Sequence, residues 1–468
     1  MFDDIMTHPV VQQIKETFKD YPIYLVGGAV RDYILKGEIK DWDFATPCVP
    51  DLIEELLFTA GHASFPLGDY GTQMALIHDP THPEHRSKAE ITPFRTETYQ
   101  PGSRHPDIML VSDLYTDLSR RDFTVNAMAL DLHTGILHDP HHGRDDIEES
   151  VLQTVGDPRS RFKEDPLRLL RMYRFELQLG FTAEIETSEA SYEKARSIMS
   201  VSTERCKTEL DKILLNILPL GDKPRHRVMD SFFKSSGVGA FLLPELTTLQ
   251  DIKQKGPHHQ GIDALHHTLN VVSLLPADPV IRWAGLLHDI GKMSTRWDEM
   301  RDGVALSHFY GHDELGARLA DGVMDRFRFS NEDRDMIRVL VRHHMEPPCL
   351  IHSGYGSKAI KKLVNRVAPY HDELLTLSKA DIMAHLGAAQ EHIDEIEVIR
   401  KKIPELMAGT TVLFLLPKGL GEAIMKEFGL KPGPRVGDLV DKVKEAILEE
   451  ELSTEPSLEE VMEWLKRL

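Results

Sequence analysis

Residues 24–46, YLVGGAVRDYILKGEIKDWDFAT, decide how the first part of this chain folds. The apolar run Ile23-Tyr24-Leu25-Val26 reads as a buried strand. Gly27-Gly28 makes a turn, and a helix carrying Arg31 and Asp32 follows. Beyond Gly37, Asp41 and Asp43 flank Trp42. Residues two apart in a strand face the same way, so the two carboxylates are expected side by side. Such a pair repels unless a cation sits against it. A divalent ion such as Mg2+, holding phosphate oxygens and activating a hydroxyl, suits that position. Gly27 and Gly28 leave backbone N–H groups open to phosphate, and a helix N-terminus adds a favourable dipole. Taken singly, a glycine turn or a solvated aspartate pair is the plainer reading of each piece. Taken together at this spacing, they read as a nucleoside-triphosphate site for nucleotidyl transfer.

Working outward, residues 50–60 read as a helix, and residues 73–77 and 89–92 as strands. Glu90 lies on the second of these strands. Residues 93–117 hold three prolines and few apolar side chains, the composition of a mobile loop. Arg120, Arg121 and Asp122 come next. Two arginines can clamp phosphates, and a carboxylate can accept a hydrogen bond from a ribose hydroxyl. In residues 163–175, KEDPLRLLRMYRF, Pro166 and the acidic pair before it mark a helix start. Asp165 and Arg168, three apart, are expected on one helix face. Cytosine and adenine both present an exocyclic amine beside a ring-nitrogen acceptor. A carboxylate and a guanidinium can pair with those two groups, whereas uracil and guanine put a carbonyl where the amine would be. The plain alternative is a surface ion pair.

These motifs resemble the class II tRNA nucleotidyltransferase and poly(A) polymerase family. The resemblance rests on Leu25-x-Gly27-Gly28-x-Val30-Arg31-Asp32, then Asp41-x-Asp43. It continues through Arg120-Arg121-Asp122-Phe123-Thr124-x-Asn126-Ala127 and Glu164-Asp165-x-x-Arg168. It implies that Asp41 and Asp43 are catalytic metal ligands, with Glu90 as a third ligand. Gly27, Gly28 and Arg31 would bind the triphosphate, Arg121 and Asp122 the sugar and phosphates, and Asp165 and Arg168 the base. Asn126, and Arg171 and Arg174 on the helix of Arg168, join the expected substrate-binding set. A flexible loop near residues 93–117 helps switch nucleotide specificity in that family. Glu204-Arg205-x-x-x-Glu209, after the capping residues Ser202 and Thr203, resembles a segment that braces the nucleotide site. The implied substrates are CTP, ATP and the 3' end of tRNA. CC-only, A-only and poly(A) addition remain open at this stage.

Composition bounds the rest. A chain of 468 residues with 41% hydrophobic and 28% charged residues suits a globular protein of two to four domains. No apolar run is long enough for a membrane span, and the polar N-terminus is unlike a signal peptide. Cys48, Cys206 and Cys349 are scattered and odd in number, as expected for reduced thiols in the cytoplasm. The net charge of −20 argues against broad nonspecific nucleic-acid binding. Arg159, Arg161, Lys163, Arg168, Arg171 and Arg174 nevertheless suggest a local basic surface.

The 24 histidines concentrate in the middle of the chain. His267, His288-Asp289 within His-Asp-Ile-Gly-Lys, and the distant Asp381 can together make a metal site with positions open to water and phosphate. This set resembles the HD phosphohydrolase superfamily, in which His312 and His343 fall where some members place a second metal's ligands. The resemblance implies a divalent transition metal and, in some bacterial relatives, hydrolysis of nucleotides and cyclic phosphates. The expected fold is α+β. A head with a small mixed sheet spans residues 1–150, a helical neck and body 151–255, the HD domain 256–400 and a helical tail 401–468, with a boundary near Lys255-Gly256-Pro257. Two other functions stay in view, a protein acting mainly as an HD phosphohydrolase and a non-catalytic RNA-binding protein.

Overall fold

The structure is a computed structural model. It describes residues 2–39, 41–68, 70–80, 86–98, 107–218, 223–234, 237–250, 252, 263–301, 304–385, 390–407, 416–448, 451–453 and 455–467. The chain divides into two compact units, Met1–Asn216 with Leu220–Thr247, and Ile217–Pro219 with Thr248–Leu468. The boundary expected at Lys255-Gly256-Pro257 lies outside the described residues.

The first unit is built on a seven-stranded mixed sheet. Its strands are β1 (Tyr24–Val26), β2 (Trp42–Thr46), β3 (Ala63–Leu67), β4 (Thr72–His78) and β5 (Arg86–Pro93). After β6 (Arg95–Thr98) and β7 (Asp107–Leu110), which pair with each other, β8 (Ala129–Asp131) and β9 (Leu137–His138) complete it. The order across the sheet is β3-β4-β5-β2-β1-β8-β9, and only β2 and β5 run parallel within it. Val26, Ala45 and Ala129 from neighbouring strands pack on Phe94, Leu114 and Leu118.

Gly27 caps the helix Gly28–Lys36 at φ 67°, a conformation that L side chains avoid. Ala29, Val30 and Arg31 of that helix are buried, and Gly37 ends it in the left-handed conformation. Residues 93–117 differ from the expected loop. Strand pairing of β6 with β7 and the helix Leu114–Ser119 order their described part, and residues 99–106 lie outside the described set. Leu114 and Leu118 anchor the segment in the core despite its low apolar content.

The described remainder of the first unit is helical apart from a short parallel pairing of Val151–Leu152 with Thr182–Ala183, and Leu167–Leu179 and Thr203–Leu215 pack side by side. Ser202 precedes the second of these helices, but its side chain makes no cap hydrogen bond. Among the described residues the second unit is helical apart from one antiparallel hairpin, Trp297–Arg301 with Val304–His308. At its end, the helices Leu420–Phe428, Pro434–Leu448 and Leu458–Leu465 share a small apolar core around Ile424, Val443 and Val461.

Candidate functional sites

The first unit forms an open cavity of about 650 Å³. It brings together every residue expected at the first site. Gly27, Gly28 and Arg31 come from the turn and helix after β1, Asp41 and Asp43 from β2 and its entry, and Glu90 from β5. Arg121, Asp122 and Asn126 come from the segment before β8, and Asp165, Arg168, Arg171 and Arg174 from the following helical region. The lining also includes Arg120, the other arginine of the expected phosphate clamp, and Thr72, Thr92, Arg95, Phe175, Gln178 and Arg205, which the motif reading did not assign to binding.

Asp43 stands directly opposite Glu90 across the parallel β2–β5 pair. Asp41 sits in the bend before β2, so the sheet supplies Asp43 and Glu90 while the strand entry supplies Asp41. Burial pushes the Asp43 carboxyl up to about 7; Glu90 and Asp41 add to this, against Arg121 and Arg31. Burial and Asp41 raise Glu90 as well. Ionisation is thus disfavoured at half-buried Asp43 and Glu90, with exposed Asp41 beside them, and a hard divalent cation is what oxygen donors of this kind accept. Their oxygens are not among the ligand groups lying within 4.8 Å of one another in the described residues. The donor chemistry therefore fits the cation, while the close packing of a finished coordination shell is absent among those residues.

The cationic lining is tied down by acids. Arg31 donates to Asn126 Oδ1 at 2.5 Å and to Asp32 Oδ1 at 2.9 Å through Nε. Asp122 accepts from Asn126 Nδ2 at 3.0 Å, from the Phe123 N–H at 2.8 Å and from Arg171 Nε at 2.7 Å. Burial alone would raise Asp122, but Arg171 and Asn126 hold it well below the usual carboxylate range. Arg120 and Arg121 both pair with buried Asp117, at 2.8 and 3.2 Å. Arg174 pairs with Glu209 at 3.2 Å, which gives the bracing segment a physical anchor.

The expected open basic surface is corrected here. Arg159 pairs with Glu193, Arg161 and Arg168 share Glu164, and Arg168 and Arg174 are buried. Desolvation demands a partner for each buried guanidinium, so Arg168 and Arg174 face inward with Glu164 and Glu209, while Lys163 stays exposed.

Asp165 and Arg168 do not share a helix face. Asp165 is extended (φ −135°, ψ 101°) between the helices Pro158–Glu164 and Leu167–Leu179. Its Oδ1 accepts from the Leu167 N–H at 3.1 Å, and its Oδ2 lies 3.0 Å from Arg205 Nη2. Arg168 is held by Glu164 at 2.8 Å and by the carbonyls of Arg161 and Arg120 at 3.1 and 2.9 Å. Pro166 explains the break, because the residue before a proline is driven from helical to extended backbone. The two side chains line one cavity, each braced by other partners.

The second unit gathers His267, His288, Asp289 and Asp381, all buried. His267 Nε2 donates to Asp381 Oδ1 at 2.9 Å, and His288 Nε2 lies 3.2 Å from Asp289 Oδ2. Ligand atoms of His267, His288 and Asp381 lie within 4.8 Å of one another, as do those of Asp289, His312 and His344. His288, His312 and His344 each donate Nδ1–H to a backbone carbonyl 2.7 Å away, of Gly285, Phe309 and Val341. In the neutral ring, this leaves the Nε2 lone pair aimed at the cluster. His312 Nε2 and His344 Nε2 then face each other at 3.1 Å, and buried His288 Nε2 has no hydrogen-bond partner among the described residues. A cation coordinated by nitrogen and oxygen relieves both conflicts, so these residues fit a divalent metal.

His343 is corrected to His344. His343 Nδ1 binds Glu346 Oε1 at 2.7 Å, away from the cluster. The signal was in the sequence, because His344 continues the buried stripe Ile337, Leu340, Val341 at helical spacing. Motif reading also missed two other residues. Lys292 Nζ lies 2.6 Å from Asp289 Oδ2, and His385 stacks on His267 with ring centroids 4.5 Å apart.

Comparison with known proteins follows the same division. The poly A polymerase head domain model matches residues 23–153, and the HD domain model matches residues 265–384. The A-adding tRNA nucleotidyltransferase of Deinococcus radiodurans is 30% identical over 434 residues, covering 90% of each chain. The CCA-adding enzyme of Leuconostoc mesenteroides is 26% identical over 447 residues, covering 95% of this chain and 92% of that one. The CCA-adding enzyme of Bacillus subtilis is 42% identical over 193 residues, 41% of this chain and 46% of that one. The solved CCA-adding enzyme of Bacillus stearothermophilus in complex with CTP superposes with a TM-score of 0.58 at 22% identity. That alignment covers 100% of this chain and 97% of that one, and it shows a shared fold. The chain belongs to the class II tRNA nucleotidyltransferase and poly(A) polymerase family, in the form that carries an HD domain.

Proposed function

We propose that this enzyme adds C and A residues to the 3' end of tRNA from CTP and ATP. The observation that carries the reading is one cavity holding both the Asp41, Asp43 and Glu90 carboxylates and the Asp165 and Arg168 base-reading pair. The full-length match to an A-adding enzyme and the matches to CCA-adding enzymes support the same chemistry. In the reaction, the tRNA 3'-hydroxyl oxygen forms a bond to the α-phosphorus. The bond from that phosphorus to the bridging oxygen breaks, pyrophosphate leaves, and the hydroxyl proton is lost to solvent. Asp41, Asp43 and Glu90 would hold Mg2+, which neutralises charge developing on the phosphate oxygens. Gly27, Gly28 and Arg31 would hold the triphosphate. Arg121, Asp122, Asn126, Arg171 and Arg174 would orient sugar and phosphates as one braced array. Arg168 would donate to the ring nitrogen and Asp165 would accept from the exocyclic amine.

In this reading residues 1–150 act as the catalytic head, 151–255 as neck and body, 256–400 as the HD domain and 401–468 as a tail that helps hold tRNA. The HD centre would bind a divalent transition metal through His267, His288, Asp289 and Asp381, with His312 and His344 as further donors. The facing Nε2 lone pairs support that assignment, and a phosphohydrolase activity there is a second reading they favour. Among the described residues no helix is long and apolar enough to cross a membrane, and the three cysteines are free. Both features agree with work in the cytoplasm.

The test is nucleotide incorporation into three tRNA transcripts lacking the last three, the last two or the last nucleotide. Each is offered CTP, ATP or both, beside the Asp41→Ala variant. Completion on all three, abolished in the variant, is expected. Extension of only one of the three would restrict the enzyme to partial addition, and no extension of any would overturn the transferase reading.

A further inference from the structure

Between two contributors to the HD centre the chain makes an excursion. Lys292, paired with Asp289 at 2.6 Å, opens the short helix Lys292–Thr295. His312, whose Nε2 lies 3.4 Å from Asp289 Oδ1, opens the helix His312–Arg326. The antiparallel hairpin lies between them. Trp297 stands directly opposite His308 in its register, so their side chains share a face.

The indole of Trp297 lies against the His308 ring, with centroids 5.4 Å apart and planes at 32°. His308 stacks on Tyr310 at 5.4 Å with planes only 7° apart. The Tyr310 hydroxyl lies within hydrogen-bond reach of the imidazole, 3.4 Å from its Nδ1, and Glu299 Oε2 lies 3.4 Å from its Nε2. The result is a row of three adjoining rings whose ends face solvent, Trp297 being 56% and Tyr310 76% exposed. Scattered exposed aromatics are ordinary, but an ordered exposed stack presents flat π-faces to a flat ligand.

The chain limits how far this row can be from the centre. Tyr310 is two residues from His312, so their α-carbons are at most about 7.6 Å apart. Phe309, next to Tyr310, accepts the His312 Nδ1–H and has its ring 5.4 Å from Lys292 Nζ. A flat-ring platform therefore adjoins a lysine and a donor set suited to a metal, the two features that bind phosphate.

We propose that Trp297, His308 and Tyr310 form a base-stacking platform for a nucleotide whose phosphate reaches the histidine–aspartate centre. The proposal rests on the reading of that centre as a divalent metal site, and it names nucleotides as the ligand class. Stacking contributes about 1–3 kcal/mol per base, equivalent to roughly ten-fold or more in affinity.

The test is calorimetric titration of the full chain with Mn2+, then of the Mn2+-loaded protein with AMP and with inorganic phosphate. An Asp165→Ala, Arg168→Ala background removes base reading at the other site. Adding Trp297→Ala and Tyr310→Ala is expected to weaken AMP binding at least ten-fold while Mn2+ and phosphate bind as before. Trp297→Phe with Tyr310→Phe, which keeps the stack, is expected to preserve AMP affinity, and its loss there would overturn the platform. Unchanged AMP binding in the alanine variant would remove the platform and leave the metal reading standing. Failure of the parent protein to bind Mn2+ would remove both.

Discussion

Asp165 is gripped by Arg205, 3.0 Å from its Oδ2 and forty positions later in the chain, and it does not pair with Arg168. The carboxylate expected to accept from the base amine is thus aimed by a residue on the bracing helix Thr203–Leu215. Removing Arg205 should leave Asp165 tethered only at Oδ1 by the Leu167 N–H. Arg205→Ala is expected to reduce the preference for CTP and ATP over UTP and GTP about ten-fold, with Arg205→Lys keeping part of it. The ratios of kcat/KM for the four nucleotides measure this. Equal losses for all four would make Arg205 a general stabiliser of the cavity.

Asp43 and Glu90, both half-buried, sit opposite each other with like charge on the central β2–β5 pair. Relieving that repulsion should stabilise the fold while removing a ligand. Asp43→Asn is expected to lower incorporation by at least about 1000-fold, as for loss of a principal electrostatic contributor. The same variant should raise Tm in EDTA and respond less to added Mg2+ than the parent. Thermal unfolding with and without Mg2+ checks both directions. A variant that melts lower in EDTA would show that the charge is not a cost there.

His344 and His343 make a matched pair for the second centre. His344→Ala is expected to reduce bound divalent metal after dialysis by ten-fold or more in affinity. His343→Ala should retain the metal and instead lose its contact with Glu346, which also holds Arg366 at 3.0 Å. Elemental analysis distinguishes the two, and metal loss in His343→Ala would return that residue to the ligand set.

Glu176, which is not among the residues lining the first cavity, provides a pH dependence of stability. Burial pushes its carboxyl up to about 7, against the hydrogen bond from the Ala183 N–H at 2.9 Å. A carboxyl raised in the folded state binds its proton more tightly there than in the unfolded chain. Stability should therefore fall as pH rises from about 4.5 to about 7, then level off. Glu176→Gln is expected to remove this penalty, gaining on the order of 3 kcal/mol at pH 8 and little near pH 4. Urea unfolding at the two pH values measures the difference, and an equal gain at both would assign it to packing.

Much of the first site was legible because its signals are local. A strand of period two, a glycine that tolerates positive φ and an Asp-x-Asp run each depend on a few neighbouring residues. Glu90 could be placed on a strand, but its pairing with Asp43 comes from the parallel β2–β5 register. The basic run at residues 159–174 was misread because charge counted along a sequence says nothing of burial. Folding turned Arg168 and Arg174 inward, where desolvation requires the acids Glu164 and Glu209. Residues 93–117 were misread because two buried leucines and a strand pairing outweigh a loop-like composition.

By itself the sequence determined the α+β head, the helical remainder, the family and the chemical types at both centres. Each of these follows from short-range patterns in which a residue's own shape, charge or backbone freedom limits its neighbours. Only the tertiary structure decided which groups hold which. Arg205 rather than Arg168 grips Asp165, His344 rather than His343 faces Asp289, and His267 meets Asp381 across 114 positions. Those pairings depend on where distant segments pack, because a buried polar group must find its partner among whatever the fold brings within hydrogen-bond reach.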